Sequence, residues 1–180
     1  MLLCSSSATR AKILDSCQIE YEQKPVSFDE ETITTKDPKA FVYQAAYGKF
    51  CSAKERYCID KEILTADTVI ECAGKLLRKP KDEDDAQKML KMQSGASVKI
   101  MSALFFQNSA LFFSDISVTQ YKLSPFEKND LQEYISSGLW QGKAGGIMVE
   151  GFCKKYIISV TGLQSTAMGL QIEKLLPFIK

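Results

Sequence analysis

Val98-Lys-Ile-Met-Ser-Ala-Leu-Phe-Phe106 is followed, across Gln107-Asn108-Ser109, by Leu111-Phe-Phe-Ser-Asp-Ile-Ser-Val-Thr-Gln-Tyr121. Two apolar and β-branched runs on either side of a short polar turn predict a hairpin. Around it, strand-like and helix-like segments interleave. Leu2 to Ser5 reads as a short buried strand that runs into a helix beginning near Ala8. Asp37-Pro38 has the form of an N-cap followed by proline in the first turn, opening a helix to about Ser52. Ile63 to Glu71 is apolar and β-branched, the pattern of a buried strand. Asp82-Glu83-Asp84-Asp85 places acids in the first turn of a helix, with Lys88 and Lys91 nearer its end. Ser124-Pro125-Phe126-Glu127 has the form of a capping box with proline at the first helical position, starting a helix that stops at Gly138. A glycine-bearing loop from Gly142 to Gly146, strand-like segments from Ile147 to Thr161 and a C-terminal helix complete the chain. Interleaving with a central hairpin implies an α/β fold with a mixed rather than a purely parallel sheet.

The 180 residues suit one domain, or one domain with two lobes, with no repeat and no low-complexity linker. Hydrophobic residues at 45% and charged residues at 25% exclude a disordered, collagen-like or coiled-coil chain. No apolar run approaches the roughly 20 residues of a membrane-spanning helix. The charge balance is even, 23 basic against 22 acidic residues, and the only arginines are Arg10, Arg56 and Arg78. No arginine-rich face for nucleic acid follows from that. There is no histidine. A Ser-His-Asp triad, a histidine-ligated zinc and histidine acid–base chemistry are thereby excluded. The six cysteines, at 4, 17, 51, 58, 72 and 153, form no C-x-x-C pair. They read as reduced, mostly buried small hydrophobes. Met-Leu-Leu-Cys4 resembles a lipoprotein cleavage box but lacks a basic segment before it, so a first strand and a cytoplasmic protein are expected.

Several residues break the local patterns. In Cys4-Ser5-Ser6-Ser7-Ala8-Thr9-Arg10, hydroxyls and free backbone N–H groups converge where a strand meets a helix N-terminus. Such a place binds phosphate, with Arg10 able to clamp its oxygens; the ordinary alternative is a serine N-cap and a solvated arginine. Asp67 lies inside a buried strand, where a carboxylate must be paired, metal-bound or satisfied by backbone N–H groups. Lys49 follows Ala46, Ala45 and Val42 by three, four and seven residues and so shares their apolar helical face; snorkelling is the ordinary alternative. Phe28-Asp29-Glu30-Glu31 is either a solvated loop or a hard-cation site, where Mg²⁺ takes one or two carboxylates plus substrate phosphate oxygens. Arg78-Lys79-Pro80-Lys81 sets bases in a loop ahead of a helix, either solvated or a second phosphate clamp. Together these residues supply what metal-assisted phosphate chemistry without histidine requires.

The order of these segments resembles the Maf family of nucleoside triphosphate pyrophosphatases nearly end to end. Ser5-Ser-Ser7-Ala-Thr-Arg10 resembles S-x-S-P-x-R, with Ala8 in place of proline. Asp29-Glu30 resembles the acidic step, and Lys49 stands at the lysine of an E-K-A step, here between Gly48 and Phe50. Ala66-Asp67-Thr68 matches A-D-T, and Lys79-Pro80-Lys81-Asp82 matches K-P-x-D. Ser94-Gly95 follows at the expected place. Lys143-Ala144-Gly145 resembles K-A-G, and Gly169-Leu170 the G-L-P step, with Gln171 replacing proline.

The resemblance implies hydrolysis of a nucleoside triphosphate between the α- and β-phosphates with Mg²⁺ or Mn²⁺. It implies an inosine-triphosphatase-like fold: an elongated, twisted mixed sheet with flanking helices, two lobes and a central cleft, in one domain over residues 1–180. Ser7, Arg10, Lys49 and Lys79 would hold the triphosphate, Glu30 and Asp67 the metal, and Asp67 would orient or deprotonate the attacking water. Partners beyond the nucleotide would be limited to a second copy in a homodimer, with no nucleic acid and no membrane. Base specificity stays open between two branches. Thr68 points to dTTP and UTP, Glu150 before Gly151 points to 7-methyl-GTP, and Thr9 to neither. An ionised glutamate offers only acceptors, which suits the paired N1–H and N2–H donors of guanine. A non-catalytic regulator of septum formation is the alternative from another class.

Overall fold

The structure, a computed structural model, describes residues 1–57 and 61–179. In chain order its strands and α-helices are β1 (Leu2–Leu3), α1 (Ala8–Ser16), β2 (Glu22–Gln23), α2 (Pro38–Tyr57), β3 (Ile63–Cys72), β4 (Lys75–Leu77), α3 (Glu83–Gln93), β5 (Ser97–Gln107), β6 (Phe112–Leu123), α4 (Lys128–Ser136), β7 (Ile157–Thr161), α5 (Gln164–Ala167) and α6 (Ile172–Leu175). The strands form one seven-stranded sheet in the order β2-β1-β3-β5-β6-β7, with β4 pairing β3 off this path. β1 runs parallel to β2 and β3, whereas β4 is antiparallel to β3 and β7 to β6. The fold is therefore the mixed α/β arrangement that the central hairpin implies. Asn108 closes that hairpin: its side-chain oxygen accepts from the N–H groups of Ala110 and Leu111, both at 2.9 Å. No helix among the described residues is long and apolar enough to cross a membrane.

The chain divides into two compact units. The first takes Met1–Thr68, Met101–Ser117 and the residues from Leu163 onward. Its core joins Leu3 of β1, Ile13 and Leu14 of α1, Leu64 and Ala66 of β3, Leu104 and Phe106 of β5, and Leu170, Ile172 and Leu175 near the C-terminus. Burial of each large side chain stabilises the unit by about 1.5–3 kcal/mol. Asp37 caps α2, its carboxylate accepting from the N–H of Ala40 at 2.6 Å. The helix runs five residues beyond Ser52. Ala53 is still fully buried, and Lys54 and Arg56 in the last turn favour the negative end of the helix dipole. The expected single C-terminal helix is instead two four-residue helices, α5 and α6. Gly169, at φ +99°, interrupts them with a backbone conformation that a helix cannot contain.

The second unit takes Val69–Ile100 and Val118–Gly162. Asp82 caps α3 by accepting from the N–H of Asp85 at 2.8 Å, so the acidic run has the ordinary role of a helix start. The capping box at Ser124–Glu127 does not form, and α4 starts only at Lys128. The backbone there is held by other partners: Ser124 N–H and its hydroxyl donate to the Tyr156 carbonyl, Phe126 N–H to Ser94 Oγ, and Glu127 N–H to Tyr156 Oη. Of the stretch from Ile147 to Thr161, only β7 is a strand. The N–H groups of Gly151 and Cys153 both donate to the Met148 carbonyl, turning this segment back on itself before a 3₁₀ turn at Phe152–Tyr156. Cys4, Cys17, Cys51, Cys72 and Cys153 are free thiols, and Cys58 lies outside the described residues. Burial pushes the Cys4 thiol up to about 11 and the Cys153 thiol to about 12, so both stay protonated and unreactive.

Candidate active site

The first unit assembles its charges from α1, α2, β3 and the 3₁₀ turn at Glu30–Thr32. α1 begins at Ala8 because the Ser7 hydroxyl accepts from the N–H of Arg10 at 3.3 Å, the N-cap contact. The Ser7 hydroxyl keeps its own hydrogen for donation. Arg10 then turns back over the strand end. Its Nε donates to the Gly169 carbonyl at 2.7 Å, Nη1 to Ser5 Oγ at 2.9 Å and Nη2 to Thr68 Oγ1 at 3.1 Å. A guanidinium has five N–H donors, so one remains on each terminal nitrogen, a fork suited to a phosphate or carboxylate. Burial pulls the guanidinium below its ordinary value, opposed by the charges of Asp67 and Glu30, which are close enough to act on it. An arginine remains protonated under such a shift.

Lys49 occupies the buried face of α2, above fully buried Val42, Ala45 and Ala46. Its ammonium donates to Asp67 Oδ1 at 2.5 Å and to Glu30 Oε1 at 2.8 Å. The Lys49 side chain is 15% exposed and that of Asp67 9%. Asp67 is thus a buried carboxylate paired from a neighbouring helix, as a strand centre demands. Of the two adjacent glutamates it is Glu30 that reaches Lys49, while Glu31 is exposed. Phe28 explains why the acidic turn sits here. A Cβ placed on Gly48 would stand 2.3 Å from the Phe28 ring, so only glycine lets that ring lie against α2. Asp29 then caps the turn, accepting from the N–H of Glu31 at 3.0 Å, and delivers Glu30 to the ammonium.

Two oxygens, Glu30 Oε1 and Asp67 Oδ1, therefore converge on one cationic centre. Among the described residues no group of three or more acidic or cysteine side chains could hold a metal ion by itself. Two carboxylates of this kind are the protein share that Mg²⁺ ordinarily takes, the remaining ligands being water and phosphate oxygens.

Ser7, Arg10, Lys49, Glu30, Asp67 and Thr68 all belong to this first unit, and Thr9 lies half-buried in α1. Lys79 and Glu150 belong to the second unit, and both are exposed. There the two loops that carry the K-P-x-D and K-A-G motifs pack together. The N–H of Gly145 donates to the Arg78 carbonyl at 2.9 Å, and a Cβ on Gly146 would stand 3.2 Å from the Pro80 ring. Gly145, at φ +59°, also has its carbonyl held by the buried Gln93 amide at 2.7 Å. The Glu150 charge acts on two buried phenols: burial first and Glu150 next push Tyr121 above its ordinary value, and burial first, then Cys153 and Glu150, do the same for Tyr134.

Sequence reasoning missed Ser102 at the Arg10 site and gave Ser5 and Gly169 no contact with Arg10. Ser5 accepts from Arg10 and from the N–H of Ser7, the carbonyl of Gly169 takes the Nε donor, and Ser102 lies 2.8 Å from Thr68 Oγ1. The available signal was a lone hydroxyl in the apolar run from Ile100 to Phe106, a polar side chain that burial obliges to find a partner.

Comparison with known proteins shows what the chain is similar to. The family model described as Maf-like protein matches residues 1–180. A "Nucleoside triphosphate pyrophosphatase" of a Nitratiruptor species is 48% identical, over 99% of this chain and 97% of that protein. Another protein of that name from Helicobacter pylori is 37% identical over 100% of this chain and 95% of its own length. A third, from Campylobacter jejuni subsp. jejuni, is 31% identical over 99% of this chain and 100% of its own. With the family's model matched from the first residue to the last, the chain belongs to the Maf-like proteins.

Proposed function

We propose that residues 1–180 act as one nucleoside triphosphate pyrophosphatase domain, cleaving the bond between the α- and β-phosphates to give a nucleoside monophosphate and pyrophosphate. The observation that carries this reading is the half-buried Lys49 ammonium held between Asp67 and Glu30, whose charges also act on the buried Arg10 guanidinium. Water attacks the α-phosphorus, an oxygen–phosphorus bond forms, and the bridging bond to the β-phosphate breaks with its electrons leaving on pyrophosphate. Asp67 orients that water and takes its proton. Ser7, Arg10, Lys49 and Lys79 bind the triphosphate and offset the charge that grows on the departing oxygens. Glu30 and Asp67 would hold Mg²⁺ or Mn²⁺, which supplies further charge neutralisation at the phosphate oxygens.

Relatives named for the same activity over full-length matches support this reading. So does the absence of histidine, which leaves carboxylates, lysines and arginine to do the chemistry. For the base, the A-D-T and K-A-G motifs favour dTTP and UTP. Glu150 favours a guanine-type base, because a carboxylate can accept from N1–H and N2–H together. A cytoplasmic enzyme, alone or as a homodimer, fits this role.

The test is pyrophosphate release from dTTP, UTP, GTP and 7-methyl-GTP with Mg²⁺ and with Mn²⁺. Release with at least one nucleotide, dependent on the cation, is expected; none with any of them overturns the reading. In the same panel Glu150→Gln should cost guanine-type substrates about one to two decades in kcat/KM, since one acceptor becomes a donor facing a donor. dTTP and UTP should hold or improve. Equal effects on all four would remove Glu150 from the base pocket.

A further inference from the structure

Arg10 is fixed by groups that are themselves fixed, and the chain of contacts has a direction. Ser102, fully buried in β5, donates its single hydroxyl hydrogen to the Thr166 carbonyl at 2.7 Å. The 2.8 Å contact between Ser102 Oγ and Thr68 Oγ1 must then take its hydrogen from Thr68. With that hydrogen committed, the Thr68 oxygen faces Arg10 Nη2 as an acceptor, at 3.1 Å. The order of donation is Arg10 to Thr68, Thr68 to Ser102, and Ser102 to the backbone at Thr166.

The second support of Arg10, the Gly169 carbonyl, is anchored from the same strand. Gln171, two residues on and fully buried, donates its amide hydrogens to the Ser102 carbonyl at 3.1 Å and to Asp115, at its carbonyl (3.2 Å) and at Oδ2 (3.1 Å). One residue of β5 thus holds two of the three acceptors of the guanidinium, Thr68 by its hydroxyl and, through Gln171, the Gly169 segment by its carbonyl, while Ser5 is the third. The cluster is kept despite a cost. Thr166 Oγ1 and Gln171 Oε1 are buried without a protein partner, which is unfavourable where nothing compensates. A proline at 171, as in the G-L-P step, would have neither the orphaned oxygen nor the anchoring amide. A Cβ on Gly169 would stand 3.1 Å from Thr68 Oγ1 and 3.3 Å from Arg10 Nε, so the three groups close on one another without spare room.

We infer that Ser102 and Gln171 are positioning residues that act through Thr68 and Gly169 to aim the two remaining Arg10 N–H groups at substrate phosphate. The inference rests on the pyrophosphatase reading for its substrate, but not for its geometry. Thr68 thereby has a role at the phosphate end of the site.

The experiment compares Ser102→Ala and Gln171→Met with wild type, each alone and combined with Arg10→Ala. Each single variant should raise KM for the preferred triphosphate about tenfold, the effect of one misplaced charged hydrogen bond, with kcat changed far less. In the Arg10→Ala background the same substitutions should add nothing further, because the group they aim is gone. Ser102→Thr keeps the hydroxyl and should keep KM well below that of Ser102→Ala, whereas Thr68→Val should behave as Ser102→Ala. A readout without substrate accompanies this: the Arg10 Nε–H resonance should exchange with solvent faster in Ser102→Ala and Gln171→Met than in wild type. Losses of equal size with and without Arg10, or unchanged Nε–H exchange in both variants, overturn the proposal. A wild type that hydrolyses no triphosphate would overturn the catalytic reading, while the exchange measurement would still decide the positioning.

Discussion

Each unit of the molecule holds an aspartate paired with a lysine, and the two pairs differ in nearly everything but their chemistry. Asp67 projects from the middle of β3 and is buried with its partner, Lys49, which comes from α2. Asp130 lies in the first turn of α4, its side chain 28% exposed, paired with Lys155, whose side chain is 60% exposed, and with the Tyr156 hydroxyl. Lys155 first and Tyr156 next hold the Asp130 carboxyl below its ordinary value. Water screens such a pair, and its partners would be well solvated without each other. Asp67, buried in its strand, lacks that alternative and loses its ion-pair partner if Lys49 is removed, whereas Lys49 keeps Glu30 if Asp67 is neutralised. Burial, not pairing, is what separates Asp67 from Asp130, and the same two residue types at the surface tie a helix start to a turn.

The sharpest way to break the comparison is to neutralise both aspartates. Asp67→Asn should lower kcat by about 10²-fold or more, the range of a lost general base, with the fold intact by circular dichroism. Asp130→Asn should leave kcat/KM unchanged and lower the melting temperature slightly. Equal activity losses would mean that burial does not separate the two roles; near-normal turnover in Asp67→Asn would make that residue structural.

Lys49→Met tests the other half of the buried pair. The apolar stem survives, and the charge that joins Glu30 to Asp67 is lost. A fall of about one to two decades in kcat/KM is expected, the worth of a hydrogen bond to a charged group. Wild-type kinetics in this variant would reduce Lys49 to a packing residue.

The smallest effect belongs to a further pair of the second unit, in which Lys99 is exposed and Glu71 half-buried. Glu71 accepts from Lys99 at 2.8 Å and from the N–H of Gly74 at 2.9 Å, and Lys99 first holds its carboxyl below the ordinary value. A lowered folded value means stability that is present above the unfolded carboxylate range and lost as pH falls through the folded value. Glu71→Gln should therefore cost no more than about 1 kcal/mol at neutral pH, and the gap to wild type should close in acid. Denaturant melts at neutral and acidic pH measure it; a gap that widened in acid would reverse the assigned sign.

What could be read from the sequence followed from local pattern. β3 and the central hairpin announce themselves by apolar, β-branched runs, and Asp67 and Lys49 stand out because each is a charge inside such a run or face. The features that escaped depend on partners distant in the chain. Ser102 gains its meaning only when Thr68 and Thr166 arrive beside it. The capping box at Ser124 fails because Tyr156, 32 residues later, engages the same hydroxyl and amide. β2 and β4, of two and three residues, carry too little pattern to be seen before the sheet that recruits them.

Gly48 has a bearing on how this protein could be engineered. Replacing a glycine inside a helix with alanine is among the commonest routes to a higher melting temperature, because it favours the helix by up to about 1 kcal/mol. In α2 that methyl group would meet the Phe28 ring. The ring would have to swing away, and the acidic turn it anchors would follow. The substitution that most improves α2 as an isolated helix would thus loosen Glu30 from Lys49, giving up a contact of the site for a gain in the helix.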